Sequence, residues 1–112
     1  MTADPETALI DVHVTCPDAA VADRIAEALV AARLAACVHV LPEIASVYRW
    51  QGGIAREAEV PLVIKTRAAH FEAVAATIRE LHPYDVPAVH AVAALAVTEE
   101  TLGWLVAETA GD

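Results

Sequence analysis

The sequence predicts an α+β domain of the ferredoxin-like class. This is a β-α-β-β-α-β sandwich with a long hairpin between the second and third strands and a C-terminal helix. Two observations carry the prediction. Stretches with a period of two alternate along the chain with stretches of helical spacing, in that order. The two middle strands are separated only by Gln51-Gly52-Gly53, and each is far longer than the usual ~5–6 residues. A hairpin of that length must project from a small domain or pair with something else.

Residues 1–8 contain Asp4, Pro5 and Glu6 and little to bury, which predicts a flexible N-terminal tail ahead of a single domain over residues 9–112. In residues 9–15, Ile10, Val12 and Val14 face one way and Asp11 and His13 the other, the alternation of a strand. Pro17 stops it and Asp18 is placed to cap a helix. Val21, Ile25, Leu29 and Ala32 then recur at helical spacing to about Leu34. Residues 36–50 form a β segment interrupted by Pro42, and residues 54–66 return as its partner. Pro61 must lie at a bulge or edge, where no ladder amide is needed. Phe71, Val74, Ala75, Ile78 and Leu81 mark the second helix, which the proline-rich turn from His82 to Pro87 ends. Residues 89–97 read as the last strand. Thr98, Glu99 and Glu100 open a short helix with Leu102, Leu105 and Val106 on its apolar face. Right-handed crossovers put the first two helices on one face of the sheet. The other face, carrying Ala, Val and His, is left needing a partner.

Composition narrows the function classes. The chain has 112 residues and 57% hydrophobic content, much of it Ala and Val with few aromatics. Such a core is built from many small contacts, which hints that burial continues across a subunit interface. A net charge of −9 and no basic run argue against nucleic acid and anionic membrane surfaces as partners. Two cysteines do not make a disulfide scaffold, and residues 1–7 lack the pattern of a signal peptide, so the expected compartment is the cytoplasm. The loop after the first strand is Cys-Pro-Asp-Ala, with an acid where an acylphosphatase-type anion loop needs a cation, and no Gly-Lys-Thr phosphate loop occurs.

Five blocks stand in order along the chain: Thr15-Cys16-Pro17-Asp18, Arg33 to Val38 (Arg-Leu-Ala-Ala-Cys-Val), Tyr48-Arg49-Trp50-Gln51-Gly52, Ile64-Lys65-Thr66 and His82-Pro83-Tyr84-Asp85-Val86-Pro87. Together they resemble the CutA family of divalent-cation tolerance proteins, from about Val12 to Trp104. The resemblance implies a non-enzymatic homotrimer, with sheets around a central axis and hairpins pairing between subunits. It implies copper or other soft-metal binding at Cys16 and a metal role for His82, and it places Trp50, Glu59, Lys65 and Tyr84 around a ligand cleft between subunits. The chain departs from the family at Ala88, where relatives usually have Glu, and at Thr101, where they usually have Tyr.

Each candidate also has a plainer reading. Cys16 also reads as a small residue at a tight turn, and Cys37 as a small buried hydrophobe. A thiolate and an imidazole suit copper or zinc and suit magnesium or calcium poorly, so Cu or Zn is the expected divalent ion, with no cofactor required. His82 at a helix end also suits the helix dipole, and Lys65 is as well explained by an acidic partner. His13, His39 and His90 fall on strands. The first strand neighbours the last in this fold, so His13 and His90 are expected close together and His39 on the far edge. Three imidazoles suit a transition metal, and the plainer reading pairs them with backbone or water. Two further functions fit the sequence: a small-molecule sensor trimer similar to nitrogen-regulatory proteins, and a structural module whose property is trimerisation. The short Gln51-Gly52-Gly53 turn argues against the sensor's long mobile loop.

Overall fold

The computed structural model describes residues 4–111. The elements follow the predicted order: β1 (Leu9–Cys16), α1 (Ala19–Ala31), β2 (Cys37–Val40), β3 (Ile44–Trp50), β4 (Gly53–Arg67), α2 (Phe71–Leu81), β5 (His90–Ala93) and α3 (Glu99–Glu108). The sheet is antiparallel in the order β2-β4-β1-β5, and β3 pairs with β4 beyond the end of β2. Each βαβ unit thus leaves a gap that a strand of the other fills, as the ferredoxin-like arrangement requires.

Alternation decides what is inside. Ile10, Val12, Val14 and Cys16 of β1 and Val60, Leu62 and Ile64 of β4 turn to one face. There they meet Ala22, Ile25 and Leu29 of α1 and Val74 and Ile78 of α2 in a single core. Asp18 caps α1 by accepting from the Val21 N–H at 2.9 Å. The helix ends at Ala31, short of Leu34, because Arg33 takes a φ of 61°, the left-handed conformation that terminates helices. The opposite face of the sheet is only half-covered at Asp11, His13, Thr15, Val63 and Lys65 and open at His39, His90 and Val92.

Pro61 is not on an edge strand but does lie at a bulge, because the register shifts by one residue between the Val40–Leu62 and Ile44–Glu59 pairs that flank it. It lies within central β4, opposite Thr15. Its carbonyl accepts from the Leu41 N–H at 3.0 Å, and in a strand a residue's N and C=O point the same way. The missing N–H therefore faces the break where β2 has ended at Val40 and β3 has not begun at Ile44. Pro42 sits in the same break, so both prolines fall where the ladder is interrupted. At the far end Gln51 and Gly52, with φ of 49° and 81°, close the two-residue turn between Trp50 and Gly53.

The last strand is shorter than expected, His90–Ala93 rather than residues 89–97. The Ala94 N–H donates to the Leu9 carbonyl at 3.1 Å, and there β1 runs out. Residues 94–97 continue exposed, Leu95 completely so.

Two arginines hold α3, of which Leu105 is the buried residue. Arg33 donates to the Ala107 and Ala110 carbonyls at 2.8 and 3.0 Å. Arg67, itself buried, donates to the Thr109 carbonyl at 2.8 Å and pairs with Glu6 at 2.9 Å. Of the expected N-terminal tail, residues 1–3 lie outside the described residues. From Asp4 onward, the Pro5 and Ala8 carbonyls accept from the Ala69 and Ala68 amides at 3.0 and 2.8 Å.

Arg67→Ala should therefore loosen both chain ends at once. Urea denaturation should show a loss of about 2–3 kcal/mol, the worth of a buried hydrogen bond from a charged donor. Amides of α3 should exchange faster. An unchanged midpoint would mean that α3 is held by packing alone.

Candidate functional site

The C-terminal end of β1 gathers most of the predicted site residues. Glu59, on β4 just past that end, is 7% exposed. Its Oε2 accepts from the Thr15 hydroxyl at 3.1 Å and from the Tyr84 hydroxyl at 3.0 Å. Tyr84 comes from the turn after α2, and His82 in the same turn packs on its ring, with centroids 4.5 Å apart and planes at 58°. The Tyr84 N–H donates to His82 Nδ1 at 3.2 Å, which leaves the proton on Nε2 to donate to the Thr15 carbonyl at 2.8 Å. Both ring nitrogens of His82 are thus engaged, and the residue is 6% exposed.

Cys16 adjoins Thr15 but points the other way. Its thiol is part of the core under the helices, while Glu59 and Thr15 face the open side of the sheet. Burial above all, then the nearby charges of Asp18 and Glu59, push the Cys16 thiol up to about 11. Burial, the hydrogen bond to Glu59 and the carboxylates of Glu59 and Glu57 push Tyr84 up to about 12. As folded, Cys16 is a buried thiol and both His82 nitrogens are engaged, and among the described residues no group of three His, Cys, Asp or Glu is arranged to hold a metal ion.

Lys65 and Trp50 stand apart from this cluster. Lys65 is six residues along β4 from Glu59, about 20 Å at a strand rise of ~3.4 Å per residue. It pairs with Asp11 at 2.9 Å, directly across the β1–β4 register. The acid expected beside Lys65 is therefore Asp11, which antiparallel pairing of the two outward-facing positions would have identified. Trp50 lies as far in the other direction, at the hairpin tip, 64% exposed. Within one chain Glu59 and Tyr84 meet, and Lys65 and Trp50 do not join them. Thr15 stands in the first of the five blocks but carries no signal of its own as a site residue. Its hydroxyl reaches Glu59 because β1 and β4 are paired out to Cys16 and Val60.

The cluster leaves Glu59 as a buried carboxylate held by two hydroxyls. Among the described residues the two ion pairs are Lys65–Asp11 and Arg67–Glu6, so none of the described cations pairs with it. Such a group favours an incoming cation or N–H donor.

The thiol makes a direct test. Folded Cys16 should resist iodoacetamide at pH 8 while half-buried Cys37 reacts, and both should react in denaturant. Because the folded thiol keeps its proton to about 11 and the unfolded one releases it near 9, stability should fall as pH rises through that window. Cys16→Ala should flatten this part of the alkaline stability profile. A profile identical to wild type would remove Cys16 as its source. Tyr84→Phe, which strips one donor from buried Glu59, should cost about 1–3 kcal/mol by denaturant titration.

Comparison with known proteins places these features in context. Residues 10–108 match the family model described as CutA1 divalent ion tolerance protein. The divalent-cation tolerance protein CutA of Thermus thermophilus is 42% identical over 94 residues, covering 84% of this chain and 91% of that one. The CutA homolog of Xenopus laevis is 47% identical over 74 residues, covering 66% of this chain but 49% of that longer protein. Among solved structures, CutA1 from Oryza sativa superposes with a TM-score of 0.90 at 35% identity, covering 97% of this chain and 100% of that one. Sheet order, long hairpin and the extent of the match agree: the chain belongs to the CutA family of divalent ion tolerance proteins.

Proposed function

We propose that this chain acts in tolerance to divalent metal ions as a homotrimer, without a reaction of its own, through a cleft that a neighbouring copy completes. The observation that carries the reading is the unfinished surface of the single chain. One sheet face is open, residues 95–97 run on past the last β1–β5 hydrogen bond outside any strand, and the projecting hairpin exposes Val47, Trp50 and Ile54. Exposed apolar area of this kind marks an interface. In the same reading, Glu59 and Tyr84 of one chain meet Lys65 and Trp50 of others, which one chain cannot bring together. The free cysteines suit a reducing compartment, and we place the protein in the cytoplasm. Among the described residues, no helix is long and apolar enough to cross a membrane.

Metal capture at Cys16 and His82 belongs to this proposal with a condition attached. The thiol must lose a proton held to about 11, and His82 must give up one of two hydrogen bonds. Uptake of Cu(II) or Zn(II) there requires local opening, and it weakens as pH falls, because metal competes with protons.

Light scattering at low micromolar concentration should give three times the chain mass; a monomer would refute the architecture. Trp50→Ala should shift the assembly toward dissociation on dilution, since removing an aromatic that the neighbouring copy buries costs up to about 3–5 kcal/mol. A variant that sediments as wild type at every dilution would show that the tip is not an anchor.

A further inference from the structure

The open sheet face holds a feature that none of the residues above uses. His13 on β1 and His90 on β5 are register partners, so their side chains leave the same face side by side. Their rings stack with centroids 5.1 Å apart and planes within 8°. The other histidines of the chain each have a ring nitrogen near a protein partner: His39 beside the Cys37 sulfur, His70 beside the Leu34 carbonyl and His82 between two backbone groups. Among the described residues His13 and His90 have none. The two imidazoles without a structural partner are thus the two that lie against each other.

We propose that His13 and His90 form a two-imidazole chelate for a divalent transition-metal ion, separate from Cys16 and His82. Imidazole nitrogen suits copper, nickel and zinc, and among these Cu(II) binds most tightly at a given nitrogen site. Metal–nitrogen bonds of about 2.0–2.1 Å require the two ligating nitrogens to stand roughly 3 Å apart. As stacked, the nearly parallel rings do not aim their nitrogens at one point, so binding turns both rings about their side-chain bonds while the strand register keeps the two residues opposite each other. His39 lies in the same row across Val63, two strands from His13. At ~4.8 Å per strand it is too distant to join the same ion. Asp11, one row along, is occupied by Lys65. Two imidazoles do not close a coordination shell, so water or a donor from a neighbouring copy fills the remaining positions.

Untagged apo-protein titrated with Cu(II) chloride, read by calorimetry and electron paramagnetic resonance, tests this. The wild type should bind one Cu(II) per chain with two nitrogen ligands visible in the hyperfine pattern, a readout that needs no variant. His13→Gln and His90→Gln should each lower the affinity about tenfold or more, since even an outer-shell partner of a metal ligand is worth ~10–100-fold. His39→Gln should bind as wild type. A wild-type spectrum without nitrogen ligands, or a His13→Gln/His90→Gln protein that binds as tightly as wild type, would overturn the site. So would an equal loss in His39→Gln.

Discussion

Fifteen residues of continuous strand, Gly53–Arg67, hydrogen-bond to β1, β2 and β3, and every other feature is hung from that one line. Its inner half alternates Val60, Leu62 and Ile64 into the core with Pro61, Val63 and Lys65 on the open side. Its outer half has only β3 beside it and buries almost nothing within the chain. A single strand therefore passes from a packed sheet to a bare arm. The period of two is kept throughout, so the face that is open in the domain stays in line with one face of the arm. Glu59 sits at the changeover, which is why a carboxylate can be buried there by a turn from elsewhere while its neighbours toward the tip are exposed.

The same geometry separates two chemistries that are adjacent in sequence. Thr15 and Cys16 are consecutive, yet one hydroxyl joins Glu59 on the open side while the next residue's thiol enters the core. His82 then stitches the α2–β5 turn to the backbone between them. The result is a hydrogen-bonded polar cluster on one side of β1 and a buried thiol on the other. A description of the site by sequence neighbourhood alone would have merged them.

Much of the fold was legible because the signals were local. Asp18 before a helical period, the Gln51-Gly52 turn and the alternation in β1 each specify their own geometry, and each was found where expected. Apart from the end of α1, set by the left-handed Arg33, the misplacements were non-local. The end of β5 depends on where β1 begins, and whether Pro61 takes a bulge or an edge depends on where β2 stops, neither of which is written in the residues concerned. The site divides in the same way. Glu59 and Tyr84 were named through family resemblance and do meet, but Thr15 and Asp11 are recognisable only once strand register is known. His13 beside His90 was the exception, since sheet order alone made them neighbours.

The break opposite Pro61 also has a mechanical meaning. Hydrogen bonds along a ladder normally let fraying at one end run toward the other, each lost pair weakening the next. Here the β3–β4 ladder stops at Ile44–Glu59, and the β2–β4 ladder resumes only at Val40–Leu62, with a proline on each strand between them. Peeling that starts at the tip meets this interruption before it reaches the strands that cover the core. An interruption of this kind lets the arm fray as its own cooperative unit without unpairing the strands that cover the core.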